Sequence, residues 1–118
     1  MGPKQFAELG RYTGPAALIL SSLADGAKHG YALTKDIEQF AGVRLGPGTL
    51  YGAIARLEQR GLIEAVGKSG RRRPYRLSAA GAEVLQAALD DLRAIVDEGS
   101  ARLARRPAAG AAVIGGLA

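Results

Sequence analysis

The fold is decided by residues 46–78, which read GPGTLYGAIARLEQRGLIEAVGKSGRRRPYRLS. Within this stretch Leu50, Ile54 and Leu57 follow the spacing of one helix face, which predicts a helix over about 47–60 with a proline in its first turn. The opposite face is expected to carry small or polar residues, with Tyr51 at its edge: Thr49, Gly52, Ala53 and Arg56. Such a face lets a helix approach another surface closely, and the free N–H groups at its N-terminus suit a phosphate; an ordinary helix start is the alternative for this motif alone.

A β-hairpin with a basic tip is predicted directly after this helix. Residues 62–66 and 74–77 are β-prone, and 67–73, GKSGRRR, form the turn between them. Five positive charges fall within 68–76, and they repel one another unless an anion such as phosphate neutralises them. A merely soluble loop is the alternative for this turn taken by itself.

Two further helices are predicted upstream of this stretch. The apolar pattern over 16–24 predicts a buried helix, and Leu33, Ile37 and Phe40 predict a second helix that ends at Gly42. Two helices joined by a short glycine-containing turn are typical of a helix-turn-helix. The basic hairpin that follows the second of them is then a wing.

A long helix is predicted over 79–106, after Ser78 as its N-cap. Its apolar residues recur at spacings of four and three, with Gly99 in the position that interrupts the series: Leu85, Leu89, Leu92, Val96 and Leu103. A helix with such a seam needs a partner, so we expect these residues to form a dimer interface. Packing within the monomer is the alternative.

The positive charge is concentrated in the same part of the chain. The 118 residues carry a formal net charge of +5, and residues 43–78 contain eight basic and two acidic residues, a net charge of +6. A localised basic field is the electrostatic footprint of a surface that binds nucleic acid.

The residue inventory excludes several kinds of site. The chain has no cysteine, which excludes disulfides and thiolate ligands, and its single histidine, His29, cannot form a histidine-rich zinc site. We expect His29 to have a structural hydrogen-bonding role. The acidic residues of the last helix are interpreted as a solvated face, not a catalytic pair: Asp90, Asp91, Asp97 and Glu98. The longest apolar run, 16–20, is far too short to span a membrane; it faintly resembles a secretory signal but fits a short core helix.

Four runs of sequence carry a resemblance to a known family: HGYAL (29–33), GPGTLY (46–51), RLEQRGLIE (56–64) and GRRRPYRLS (70–78). With these runs in unbroken order over about 14–105, the chain resembles the PadR family of transcriptional regulators, and its single C-terminal helix is similar to that of the smaller subfamily. The resemblance implies a mainly α fold with a small β-hairpin, a winged helix-turn-helix plus a long C-terminal dimerisation helix. It also implies a homodimeric repressor that binds a palindromic operator in double-stranded DNA and responds to a small effector.

The expected organisation follows from both lines of reasoning. It comprises an N-terminal arm (1–13), a winged helix-turn-helix domain (14–78), a dimerisation helix (79–106) and a flexible Ala/Gly-rich tail (107–118). The expected DNA contacts are Arg44, Pro47, Gly48, Thr49, Tyr51, Arg56, Lys68, Arg71, Arg72, Arg73 and Arg76. No cofactor, metal or catalytic group is expected, and the expected location is the cytoplasm, at the nucleoid.

Two residues depart from the family pattern. Gly46 stands where many relatives have a serine N-cap, and Gly52 stands where many have proline. Both departures bear on base preference and neither on the fold. Two other functions stay open at this point: a nonspecific chromosome-organising protein and a winged-helix module that binds another protein. A small enzyme is not expected, because the residues supply no catalytic constellation.

Overall fold

The computed structural model describes residues 14–67 and 73–108. Within these residues the chain forms four helices and a two-stranded antiparallel sheet: α1 (14–23), α2 (Gly30–Ala41), α3 (Pro47–Gln59), β1 (Ile63–Ala65), β2 (Tyr75–Leu77) and α4 (Ala79–Arg105). The predicted mainly α fold with a small hairpin is confirmed. The arm predicted for 1–13, the wing tip at 68–72 and the tail predicted for 107–118, apart from 107 and 108, lie outside the described residues.

The chain divides into two compact units, Met1–Gln86 and Ala87–Ala118. The core of the first unit is aliphatic and draws on α1, α2, α3, β1 and the start of α4: Leu18, Ile19, Leu20, Leu23, Leu33, Ile37, Ala41, Leu50, Ala53, Ile54, Leu57, Leu62, Ile63 and Leu85. The stripes of leucine and isoleucine predicted for α1, α2 and α3 therefore face this core, whereas α4 contributes only Leu85 of its predicted stripe.

Two positions differ from the predicted faces. Phe40, expected on the apolar stripe of α2, is 52% exposed, and Ala41 occupies the core position one residue later. Ala53, expected on the polar face of α3, is only 2% exposed. It follows Leu50 by three residues and precedes Leu57 by four, so helix geometry puts it on the buried stripe.

Gly42 and Ser78 end and begin their helices as the sequence predicts, and His29 caps the start of α2. His29 is the N-cap of α2, where its Nδ1 accepts a hydrogen bond from the Ala32 N–H at 3.5 Å, the structural role expected of it. Gly42 ends α2 in the left-handed conformation, with φ of 68°. Ser78 accepts a hydrogen bond at its Oγ from the Gly81 N–H at 3.0 Å, so it caps α4.

The hairpin is paired on both sides of β2. Its register places Ala65 opposite Tyr75. On the other edge of β2, the Lys28 N–H donates to the Tyr75 carbonyl at 3.0 Å and the Tyr75 N–H donates back to the Lys28 carbonyl at 2.9 Å. The link before α2 therefore acts as a third, one-residue strand that fixes the base of the wing to the helix-turn-helix.

A polar cluster lies between the end of α1 and α2. Ser22 is buried, and its Oγ donates to Asp36 Oδ2 at 2.6 Å. Lys28 Nζ donates to Asp25 Oδ1 at 2.6 Å and to the Ser22 carbonyl. The hydrogen bond from Lys28, together with its positive charge, lowers the pKa of the Asp25 carboxyl.

The first turn of α4 lies directly on the base of the hairpin. Gly81 is buried, and a Cβ at this position would overlap the Leu62 carbonyl oxygen and lie 2.8 Å from Leu77 Cδ1. The packing of α4 on the hairpin therefore requires glycine here.

The second unit is described over 87–108, of which 87–105 are the continuation of α4. Ile95, Val96 and Leu103 are between 61% and 69% exposed in it. Glu98 pairs with Arg102 at 2.8 Å, one turn further along the helix. Of the helices in 14–67 and 73–108, none is both long and apolar enough to cross a membrane.

Candidate nucleic-acid interface

The N-terminus of α3 is open and formed by small residues. Gly46 is the N-cap, in an extended conformation, and makes no side-chain capping hydrogen bond, as its lack of a hydroxyl predicts. Pro47 follows as the first helical residue, and Gly46, Pro47, Gly48 and Thr49 are all exposed. A helix N-terminus presents free N–H groups and the positive end of its dipole, so this end of α3 suits an anion such as a phosphate.

The exposed face of α3 is flanked by two larger side chains. Tyr51 and Arg56 are five residues apart, which corresponds to about 140° around the helix. Gly48 and Gly52 lie between these flanks. In the N-terminal half of α3 the centre of the face is thus free of bulk, and a molecule that fits between Tyr51 and Arg56 can come close to the helix backbone there.

Tyr51 lies across the helix-turn-helix towards α2. It is 54% exposed, and its hydroxyl lies against Gly30 in the first turn of α2. Within 14–67 and 73–108, no hydrogen-bond partner is seen for this hydroxyl. The ring is therefore partly packed, while its polar end is available to a ligand.

Arg56 folds back along the surface of α3. Its Nη1 lies 3.5 Å from where a Cβ on Gly52 would be, so the guanidinium reaches towards the N-terminal half of the helix. A bulkier residue at position 52 would press on this side chain. Arg56 also borders a cleft of about 360 Å³ between the start of α1 and α3.

A larger cleft of about 500 Å³ opens between α2 and the start of α3. Tyr51 and Arg44 border it from the α3 side, and Tyr31 and Lys35 border it from α2. Lys35 Nζ lies 5.8 Å from the centre of the Tyr31 ring, and Arg44 pairs with Glu38 at 3.8 Å. The cleft therefore combines two cations and the carboxylate of Glu38 with two aromatic side chains.

The α2 side of this cleft is absent from the residues predicted as DNA contacts. Tyr31 and Lys35 are one helical turn apart and both exposed, so they present a polar face opposite the buried Leu33 and Ile37. The first helix of a helix-turn-helix crosses the DNA backbone. That rule, applied to the polar residues of α2, was the signal that could have identified them.

The wing is described at its base. Arg73 is exposed just before β2, and Arg76 of β2 is paired across the hairpin with Glu64 at 3.5 Å. Lys68, Arg71 and Arg72, the other cations predicted for the wing, lie outside the described residues. Of the six remaining predicted residues, Arg56 lies further along α3, and the other five lie around the opening of that helix: Arg44, Pro47, Gly48, Thr49 and Tyr51.

Known proteins share this architecture. The model of the PadR-like family of transcriptional regulators matches residues 19–87. The chain is 39% identical over 83 residues to the transcriptional regulator Rv3488 of Mycobacterium tuberculosis, a match that covers 68% of this chain and 73% of that protein. It is also 54% identical over 69 residues to an uncharacterized 37.1 kDa protein in transposon TN4556 of Streptomyces fradiae, covering 58% of this chain; it spans only 20% of that longer protein.

A solved structure agrees with the sequence relatives. The crystal structure of a PadR family transcriptional regulator from Eggerthella lenta DSM 2243 superposes with a TM-score of 0.66 at 30% identity, over 85% of this chain and 88% of that one. The family model covers more than half of the chain and includes α2, α3, the hairpin and the start of α4. The chain therefore belongs to the PadR-like family of transcriptional regulators.

Proposed function

We propose that this protein is a sequence-specific transcriptional repressor that binds a palindromic operator as a homodimer. The observation that carries the proposal is the open, glycine-rich N-terminus of α3, set beside a cleft with cations and aromatic residues. Release of the operator by a small effector is the mode of control that the family resemblance implies.

In the proposed complex α3 enters the major groove. The small residues Gly48 and Gly52 let its backbone approach the base edges, and Thr49 and Arg56 provide donors on one flank. Tyr31 and Lys35 of α2 lie where the first helix of the motif meets the DNA backbone. A helix with a bulky central face could not approach a groove in this way.

The wing follows the flanking backbone in this proposal. Arg73 and Arg76 contribute positive charge at its base, and Lys68, Arg71 and Arg72 add three charges in the turn. Contacts of this kind fix the register of the protein on the duplex without reading its sequence. They also make the affinity depend strongly on salt, because each neutralised phosphate releases counterions.

The homodimer is proposed to form through α4. Val96 and Leu103 are seven residues apart on one side of the helix, and both are more than half exposed. Leu89 and Leu92 continue this seam, whereas Leu85 is buried in the core of the first unit. A second copy would cover the exposed part of the seam with the same residues, as a two-fold interface requires. Its two recognition helices would then read half-sites about one turn, roughly 10 bp, apart.

The DNA-binding proposal is tested by a fluorescence anisotropy titration. The probe is duplex DNA from upstream of the protein's own gene, with random duplex as competitor, at two salt concentrations. We expect a preference of about 10³ or more for the upstream fragment. Arg73→Ala should lower the slope of log K against log salt by about 1, whereas Arg102→Ala, which removes a paired cation of α4, should leave the slope unchanged.

Other outcomes would replace the proposal. Equal, salt-sensitive binding to both duplexes would favour a nonspecific chromosome-organising protein. Failure to bind either duplex at low salt would favour a winged-helix module that binds another protein.

The dimer is tested separately by sedimentation. Leu103→Glu places a charge in the exposed seam and is expected to give monomers at concentrations where the unmodified protein is dimeric. Ala94→Glu, on the opposite face of α4, is the matched control and should stay dimeric. If both variants sediment with the same assembly mass as the unmodified protein, this interface is refuted.

A further inference from the structure

The first turn of α2 packs directly against the ring of Tyr51. Gly30 is buried, and a Cβ at this position would overlap the Tyr51 hydroxyl and lie 2.9 Å from its Cζ and 3.1 Å from its Cε1. The ring of Tyr51 therefore occupies the space that any side chain at position 30 would need.

Two hydrogen bonds hold the first turn of α2 in place. Thr34 Oγ1 donates to the Gly30 carbonyl at 3.1 Å, and His29 caps the turn through the Ala32 N–H. These bonds leave the α2 backbone little freedom to retreat from the ring. A side chain at position 30 would displace the tyrosine instead.

The backbone conformation at position 30 does not require glycine. Gly30 is the first residue of α2 and is not among the residues with a positive φ. Alanine is the better helix former, so helix propensity alone would favour it here. The space for Tyr51 is the physical reason for glycine at this position.

We propose that Gly30 is a positioning residue for DNA binding: by its lack of a side chain it lets Tyr51 lie across the helix-turn-helix, with the tyrosine hydroxyl directed at a phosphate of the DNA backbone. This role rests on the proposed function. A phosphate is the group that fits, because the same cleft holds the cations Lys35 and Arg44 against the single carboxylate of Glu38, beside the N-terminus of α3. Tyr51 then contributes to affinity for any duplex and not to the choice between sequences.

The test is a double-mutant cycle on DNA affinity, with unmodified protein, Gly30→Ala, Tyr51→Ala and the double variant. Tyr51→Ala is expected to weaken binding about ten- to hundred-fold, the range for one hydrogen bond to a charged group, on upstream and random duplex alike. Gly30→Ala is expected to weaken binding to a similar extent in the unmodified background. It should have no further effect once Tyr51 is alanine. Circular dichroism establishes that all four proteins are folded.

Two results would overturn this role. One is an equal loss from Gly30→Ala with and without the tyrosine, since Gly30 would then act independently of Tyr51. The other is unchanged binding by Gly30→Ala.

The contact itself can be observed without DNA. Proton NMR of the free protein should show a nuclear Overhauser effect between the Gly30 Hα and the Tyr51 ring, and its absence would refute the packing. If the unmodified protein binds neither duplex while this effect is present, the proposed function and the positioning role fail but the contact stands. The two kinds of failure are thus distinguished.

Discussion

Replacing Gly81 by alanine should destabilise the protein, although it improves the helix propensity of α4. Propensity alone favours alanine by about 1 kcal/mol. Against this, the new Cβ would overlap the Leu62 carbonyl oxygen, a backbone atom held by a hydrogen bond from the Ser78 N–H at 3.1 Å. Overpacking costs about 1–3 kcal/mol, and backbone that cannot rotate away puts this site at the upper end. The expected net loss is about 2 kcal/mol in the free energy of unfolding.

The assay is urea unfolding followed by circular dichroism at one fixed protein concentration, with thermal unfolding in parallel. A loss of about 2 kcal/mol corresponds to a fall in Tm of roughly 8 °C for a protein of this size. Gly52→Ala is the matched control, because the nearest atom to its new Cβ is the Arg56 guanidinium at 3.5 Å, which can move. This variant should be as stable as the unmodified protein or up to about 1 kcal/mol more stable. A Gly81→Ala protein as stable as the Gly52→Ala control would refute the reasoning.

Two further predictions concern the polar cluster between α1 and α2. Asp36→Ala leaves the buried Ser22 hydroxyl without its acceptor and should lower the free energy of unfolding in urea by about 1–3 kcal/mol. The double variant with Ser22→Ala should recover part of this loss. An Asp36→Ala protein as stable as the unmodified one would count against the buried bond. The pairing with Lys28 lowers the pKa of Asp25 in the folded protein below its ordinary value of 3.8. The pair therefore stabilises the fold fully at pH values above 3.8, and this contribution is lost as the pH falls through the lower pKa of the folded state. Asp25→Asn should therefore flatten the loss of stability at acid pH, and parallel acid unfolding curves would contradict this.

The local parts of the fold could be predicted from the sequence because local chemistry determines them. Gly42 and Ser78 act at the helix ends through bonds to residues a few positions away, so their residue types suffice to place the caps. Phe40 shows the limit of such patterns. It fits the apolar spacing of α2, yet Ala41 takes the core position. A stripe read from spacing has an uncertain edge, and only packing decides which of two neighbours is buried.

The contacts between distant segments could not be predicted in this way. Lys28 pairs with Tyr75, and Gly81 lies against Leu62, but no spacing in a single sequence indicates which segments meet. Gly81 looks like a weak point in the first turn of a helix until the hairpin is in place. The sequence pattern thus identifies the helices and strands, whereas the contacts between them appear only in the three-dimensional structure.

For the candidate site, the chemistry of the residues predicted more than their positions. Exposed glycines at the start of α3 are informative in the sequence because a helix N-terminus without bulk has a recognisable use. The contribution of α2 was missed because Tyr31 and Lys35 lie in an ordinary amphipathic helix. Their significance comes from the cleft that they share with Tyr51.

The residues proposed to contact DNA are held in position by other residues that do not themselves contact it. Tyr51 is set by a glycine in α2, and the wing is set by the Lys28 bridge to β2. Substitutions in the two sets should therefore differ in their salt dependence. Removing a cation such as Arg73 removes a phosphate contact and lowers the salt slope, because fewer counterions are released. Displacing Tyr51 through Gly30 removes a hydrogen bond whose donor is uncharged, so affinity should fall at an unchanged slope. The salt slope then separates residues that carry charge to the DNA from residues that position the surface.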